Sequence, residues 1–212
     1  QKTAYDIMPS LVGSEMCIRD SLNIVNKNIL VVGTGTIGEP LIGLLAQHKE
    51  KLGIDNISFF KRTPLSDEKG KVEALIRKGA KLVANSDAKN DFESMGFDVE
   101  ELEKSYEENQ VIIDCTPSGN KNWDEIYSNL DKNKRFLAQG SEHGFGPFFA
   151  WGINNNVLTN DQNKYLIASC NTHNIASILK TFVLDTDKNL NEGRFVCSVS
   201  YTHLTLPTIC SV

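Results

Sequence analysis

The apolar run Ile29-Leu30-Val31-Val32, introduced by Asn28, empties directly into Gly33-Thr34-Gly35-Thr36-Ile37-Gly38. No other junction in the chain constrains the fold as tightly. A strand that is apolar without alternation has to be covered on both faces, as a central strand of a parallel sheet is. Parallel neighbours need long crossovers, and Ile37, Leu41, Leu44 and Leu45 recur at helical spacing just after the glycines. Pro40 is tolerable in that helix because it falls in the first turn.

The same alternation continues downstream. Ile57–Phe60 reads as a second strand and Asp67–Lys78 as a helix stopped by Gly79. Lys81–Val83 is a short third strand. Residues 85–108 are polar, and Glu100-Glu101-Leu102-Glu103-Lys104 reads as a solvated helix face. Val111–Asp114 is a further buried strand, Asn122–Leu130 a helix, Arg135–Ala138 and Tyr165–Ala168 strands. Ile175, Ile178, Leu179, Phe182 and Val183 mark one helix face. Arg194-Phe195-Val196 begins another strand. Strands alternating with helices predict an α/β fold, a doubly wound parallel sheet of the Rossmann type. The expected organisation is a nucleotide-binding domain over residues 22–169, then the start of an α+β catalytic domain over 170–197.

Both ends of the chain read as foreign. Glu15-Met16-Cys17-Ile18-Arg19-Asp20 can be encoded by a DNA string whose reverse complement translates as Val-Ser-Tyr-Thr-His-Leu, the sequence of Val199 to Leu204. One element read in opposite senses is what an inverted sequencing adapter leaves behind. Residues 1–21 and 198–212 are therefore expected to be non-native, and they stay out of the fold argument.

A net charge of −5 argues against nonspecific nucleic-acid binding, which needs a basic face. No apolar run reaches membrane-spanning length, so no membrane partner is expected. Five cysteines without paired spacing make no disulfide framework and fit a reducing cytoplasm. No metal site is expected. Trp123 and Trp151 read as packing residues, and Cys115 as a buried thiol at a strand end.

Glycines placed between strand and helix give the context in which G-x-G-x-x-G binds a dinucleotide. Gly33 permits the tight turn, Gly35 lets the phosphates approach, and Gly38 lets helix and strand pack closely. The pyrophosphate would lie on the helix N-terminus, near the amides of Thr36 and Ile37. About twenty residues on, an NAD site shows a carboxylate for the ribose hydroxyls. This chain shows Lys61-Arg62-Thr63 there. Two cations and a hydroxyl attract a 2′-phosphate that a carboxylate would repel, so NADP is favoured over NAD.

Cys170 stands in Ala168-Ser169-Cys170-Asn171-Thr172-His173-Asn174, between an apolar run and a helical pattern. A thiol at the mouth of a helix is well placed to react as thiolate, because the aligned N–H dipoles favour the anion. His173, at i+3, reads as a solvated or capping residue before it reads as a base. His143 reads as a polar loop residue.

Gly33–Gly38, Asp114-Cys115-Thr116-Pro117-Ser118-Gly119, Gln139-Gly140-Ser141-Glu142 and Ser169-Cys170-Asn171-Thr172 occur in one order. In that order the chain resembles archaeal-type (type II) phosphorylating glyceraldehyde-3-phosphate dehydrogenase over most of Asn28 to Val196. The resemblance implies oxidation of glyceraldehyde 3-phosphate to 1,3-bisphosphoglycerate, with inorganic phosphate and NADP or NAD, through a thioester on Cys170. It implies cofactor contacts from Thr36, Ile37, Thr116 and Gly119, and substrate contacts from Ser169, Asn171 and Thr172. It also implies a homotetramer for the full-length protein, and a catalytic histidine beyond Cys197, so this chain alone is expected to turn over nothing. The chain departs from the family pattern at Ser141, His143, His173 and Asn174. A related thiol-dependent semialdehyde or acyl-phosphate dehydrogenase is the alternative among enzymes. A non-catalytic NAD(P)-binding regulatory domain is the alternative outside catalysis.

Overall fold

The computed structural model describes residues 27–117, 119, 121–139, 142–186, 190 and 192–196. The ends expected to be non-native, residues 1–21 and 198–212, lie outside the described residues. Strand β1 (Asn28–Val32) is followed by helix α1 (Gly38–Gln47), the short α2 (Lys49–Leu52) and β2 (Asn56–Phe60). A 3-10 turn (Ser66–Glu68) leads into α3 (Lys69–Arg77), β3 (Lys81–Ala84), α4 (Ser86–Ser94), β4 (Val99–Glu101) and α5 (Leu102–Glu108). Then come β5 (Val111–Asp114), α6 (Asn122–Glu125), β6 (Arg135–Ala138), β7 (Phe148–Phe149), β8 (Lys164–Ile167) and α7 (Cys170–Leu179). A π-helical turn over Lys180–Leu184 extends α7.

The eight strands form one sheet in the order β4-β3-β2-β1-β5-β6-β8-β7. Every strand pair whose register is described runs parallel. Strands alternating with helices in a parallel sheet are the expected α/β, Rossmann-like architecture. By its internal contacts the chain divides into two compact units, one ending at Ile112 and the other starting at Ile113.

In the first unit the core is the run of strand residues that the sequence leaves without alternation. Leu30, Val31, Ile57, Phe59, Leu82 and Val83 are all buried. Burial of this kind is worth roughly 1.5–3 kcal/mol for each large aliphatic or aromatic side chain. The β1–β2 register pairs Val32 with Phe60, so both strands end at the same level of the sheet. The residues that follow them, Gly33 and Lys61, thus stand at the same level.

Helix α1 corrects one expectation. Its buried stripe is Gly38, Ile42, Gly43 and Ala46, while Ile37 and Leu44 are exposed. Small residues let the helix approach closely, and a Cβ at Gly43 would lie 3.0 Å from Lys78 Nζ. The polar stretch 85–108 corrects another. It holds two helices and the edge strand β4, and Glu100 and Glu101 lie on that strand instead of on a helix. They pair with Lys81 and Lys89, each at 3.0 Å.

In the second unit Phe136, Tyr127 and Tyr165 are buried. Trp123 packs edge-on to Phe136 and Phe145 at centroid distances of 5.4 and 5.5 Å, and Lys164 Nζ sits 3.9 Å above its ring centre. Trp151, by contrast, is exposed. Arg194–Val196 forms no strand, another departure from the sequence expectation. The apolar face expected on α7 exists in sequence, yet α7 buries no residue and Phe182 is 67% exposed.

Candidate functional site

The glycine turn of the first unit links β1 to α1. Gly33 has φ +101°, a left-handed value that L side chains avoid, so a glycine there is a backbone requirement. Gly35 is different: its φ lies outside that region, and a Cβ on it would meet nothing within 4 Å. The chain itself therefore gives no steric reason for a glycine at 35. Thr36 and Ile37 are exposed beside it, and Glu39 N–H closes the turn on Gly35 O at 3.0 Å. No side chain caps the start of α1, where Ile37 holds the N-cap position. The apolar side chain of Ile37 offers the first amides of the helix no acceptor.

Beyond β2, the three residues Lys61, Arg62 and Thr63 part company. Lys61 is 8% exposed; its backbone N–H continues the sheet to Val83 O, and its ammonium is ion-paired with Glu68. That hydrogen bond is the main cause holding the Glu68 carboxyl below the usual range, with desolvation opposing it. Arg62 and Thr63 are exposed. Of the two cations read from the sequence, Arg62 is the one that faces solvent, and none of residues 61–63 is acidic.

The second unit holds a polar cluster at the ends of β5 and β6. Asp114 is 3% exposed. Its Oδ1 accepts from Thr116 N–H at 2.8 Å and Thr116 Oγ1 at 2.5 Å, and its Oδ2 accepts from Asn122 Nδ2 at 2.8 Å and Tyr127 O–H at 2.9 Å. Gln139 Nε2 donates to Thr116 O, and Gly119 N–H donates to Glu142 Oε2 at 2.9 Å. Asp114, Gln139 and Glu142 belong to the motifs read in the sequence without being given a role there. Asp followed two residues on by Thr is an Asx-turn signature and points to the local half of this cluster. The half that joins residues twenty or more apart has no local signal.

Cys115, next along, is buried, and burial pushes its thiol up to about 11, helped by the neighbouring Asp114 charge.

Cys170 is the first residue of α7 and is exposed. Ser169 is the N-cap: its Oγ accepts from Thr172 N–H at 3.3 Å and is bonded to Thr172 Oγ1 at 2.8 Å. Capping by serine is worth roughly 1 kcal/mol, and it fixes where the helix, and so the thiol, begins. The Cys170 Sγ lies 4.0 Å from Asn171 Oδ1. The His173 ring Nε2 is 3.1 Å from Trp151 O. His143 is exposed, with its ring 6.3 Å from that of Phe148.

Among the described residues no group of three His, Cys, Asp or Glu is placed to hold a metal ion, and no helix is long and apolar enough to cross a membrane.

No protein-family model and no curated protein matches this chain. Among solved structures, 33 chains match. One is a glucose dehydrogenase of Haloferax mediterranei in complex with NADP, Zn and gluconolactone: 16% identity, TM-score 0.43, covering 81% of this chain and 45% of that one. A second structure of the Haloferax mediterranei glucose dehydrogenase matches at 14% identity and TM-score 0.43, again covering 81% and 45%. A shikimate dehydrogenase of Aquifex aeolicus matches at 15% identity and TM-score 0.31, covering 78% of this chain and 72% of that one. This chain thus spans less than half the length of the two glucose dehydrogenase chains. Identities this low are likenesses of fold alone.

Proposed function

We propose that the chain carries the NADP-binding part of a dehydrogenase together with its nucleophilic cysteine, and that the reaction is the phosphorylating oxidation of glyceraldehyde 3-phosphate. The observation that carries the dinucleotide half is Gly35: open space where a Cβ would stand, in an exposed turn at the uncapped start of a helix. A glycine that the fold does not need is explained by a ligand that comes close to the backbone. The residues present fit a dinucleotide. Gly33–Gly38 would hold the pyrophosphate, and Arg62 and Thr63 the 2′-phosphate.

The chemistry assigned to the chain's own residues starts at Cys170. Its thiolate attacks the aldehyde carbon, the C–S bond forms, and the carbonyl electrons move to oxygen. The Cys170 and Asn171 amides, at the first turn of α7, are donors of the type that stabilises such an oxyanion. Ser169 and Thr172, bonded to one another, hold that turn in place. Bound NADP supplies the acceptor for the hydride whose loss converts the adduct to a thioester. Inorganic phosphate then attacks the thioester carbon, the C–S bond breaks, and the thiolate returns as the acyl phosphate leaves.

Titration of the chain with NADPH and NADH tests the first half, with tighter binding of NADPH expected. A chain that binds neither sinks it. Turnover by the complete protein with glyceraldehyde 3-phosphate and phosphate, abolished by Cys170→Ser, tests the second half. Full turnover in that variant would remove Cys170 from the reaction.

A further inference from the structure

We infer that Lys71 is a specificity-determining residue for the 2′-phosphate, acting beside Arg62 in the choice of NADPH over NADH; this rests on the dinucleotide reading above. Lys71 lies in the first turn of α3, and no local pattern connects it with the cations at the end of β2. The fold does. Its Nζ stands 3.9 Å from Glu68 Oε1, on the turn that precedes α3, and 3.9 Å from Glu39 Oε2, in the first turn of α1. The other oxygen of Glu68 is taken by Lys61, the residue before Arg62. Glu39 is the residue after Gly38.

One ammonium is thus located from two sides, from the glycine turn through Glu39 and from the end of β2 through Glu68. Those are the two places to which the reading above assigns the pyrophosphate and the 2′-phosphate. All of these residues belong to the first unit. Ligands of open parallel sheets bind outside the carboxyl ends of the strands, and β1 and β2 end there at one level.

The two lysines that share Glu68 are held very differently. Lys61 is buried and hydrogen-bonded to the carboxylate. The Lys71 side chain is 57% exposed, and 3.9 Å is beyond hydrogen-bond distance from either of its carboxylates. Lys81 and Lys89, by contrast, approach their partners to 3.0 Å. An exposed pair as loose as that of Lys71 contributes little to stability, so the fold gives weak reason for a lysine here. Its position even opposes the helix. Helix α3 opens with Lys69 and Lys71, has no acidic residue in its first turn, and receives no capping bond from Glu68. Helix N-termini favour negative charge, so this end of α3 is improved by an incoming anion. An ammonium on a flexible stem can exchange a loose carboxylate for a phosphate oxygen.

The test titrates the 212-residue chain with NADPH and with NADH, alongside Lys71→Met, Lys71→Arg and Lys104→Met, with thermal melting of each. Lys104 is an exposed lysine of the same unit, paired with Glu108 on α5 at 3.5 Å, and its replacement changes the net charge equally. Lys71→Met is expected to bind NADPH about fivefold more weakly, to bind NADH as the parent does, and to melt with the parent. The difference should shrink as salt is raised. Lys71→Arg keeps the charge and is expected to stay within about twofold of the parent. Lys104→Met should bind both nucleotides as the parent does. An equal loss in Lys104→Met overturns the assignment, because net charge alone then accounts for it. An equal loss of NADPH and NADH by Lys71→Met overturns it too, since the lysine then does not read the 2′-phosphate. A parent chain that binds neither nucleotide overturns the dinucleotide reading and this role with it, whereas intact parental binding with an insensitive Lys71→Met overturns this role alone.

Discussion

The phenol of Tyr127 donates to Asp114 Oδ2 at 2.9 Å while its ring stacks on Phe136, with centroids 5.5 Å apart. Both partners are buried, so this bond joins the apolar core of the second unit to the polar cluster at the end of β5. Tyr127→Phe keeps the stack and removes one donor from a buried carboxylate. A bond to a charged group of this kind is worth about 1.5–3 kcal/mol. The variant is expected to lose about that much in denaturant unfolding. Asp114→Ala is expected to lose more, since it removes the carboxylate that accepts from Thr116, Asn122 and Tyr127 at once. An unchanged midpoint for Tyr127→Phe would show that the phenol is not a significant support of Asp114.

The two described cysteines should separate cleanly in reactivity. Cys170 is exposed, whereas Cys115 is buried with its thiol pushed up to about 11. With Cys17, Cys197 and Cys210 replaced by serine, a thiol reagent at neutral pH is expected to label Cys170 in the native protein. Cys115 should react only after unfolding. The same burial gives a pH dependence. The folded Cys115 thiol ionises at a higher pH than the unfolded one, so the unfolded chain holds fewer protons between the ordinary thiol range and about 11. Its contribution to stability is complete below that window and is lost as pH rises through it. Cys115→Ala should flatten the alkaline limb; an unaltered limb would assign the loss to other groups.

The strands legible in the sequence are those buried on both faces, because a continuous apolar run has one interpretation when glycines or polar turns bound it. Edge strands escaped for the opposite reason. In β4 only Val99 is buried, and Glu100 and Glu101 present charges to solvent as a helix face would. In β7, two phenylalanines are too short a pattern to read. Helix periodicity also overreached on α1, where the stripe that packs includes Gly43, a residue no hydrophobic pattern counts. On α7 the apolar spacing is real, yet Ile178 and Phe182 remain exposed. Periodicity states what a face is made of and leaves open what covers it. At the site, Gly33–Gly38 and Cys170 were legible because their neighbours in sequence define them. The pairing of Lys61 with Glu68, and of Glu142 with Gly119, depends on how the chain turns back and has no local mark.

That pairing divides the labour at the end of β2. Glu68→Gln leaves a buried ammonium without its counter-ion, so stability should fall by on the order of 1–2 kcal/mol in urea unfolding. The Glu68 carboxyl is held below its ordinary range by Lys61, so the pair's contribution is present above the unfolded Glu pKa. It is lost as pH falls through the lower folded value. The acid limb of Glu68→Gln should therefore be shallower than the parent's. Arg62→Ala, at an exposed position, should leave stability unchanged and reduce the preference for NADPH over NADH by about tenfold. Equal preference before and after Arg62→Ala would show that the arginine does not read the 2′-phosphate.

Gly35 and Gly146 provide the sharpest contrast, because the fold explains one and not the other. A Cβ at Gly146 would lie 2.7 Å from the backbone oxygen of Lys164, at the start of β8. Neither atom can move without shifting the strand, next to the bond from Leu166 N–H to Pro147 O at 3.0 Å. Gly146→Ala is therefore expected to cost about 1–3 kcal/mol, as overpacking does, and to lower the melting temperature. At Gly35 the added methyl would stand in open space, on a backbone outside the left-handed region. Gly35→Ala should melt with the parent or slightly above it, since alanine lowers the entropy of the unfolded chain. A dinucleotide phosphate brought against that backbone would meet the methyl, so NADPH affinity should fall by at least about tenfold. Loss of binding without loss of stability is the signature of a glycine kept for a ligand. If Gly35→Ala binds NADPH as the parent does, the turn is not a phosphate cradle, and the case for a dinucleotide fails at the residue on which it rests.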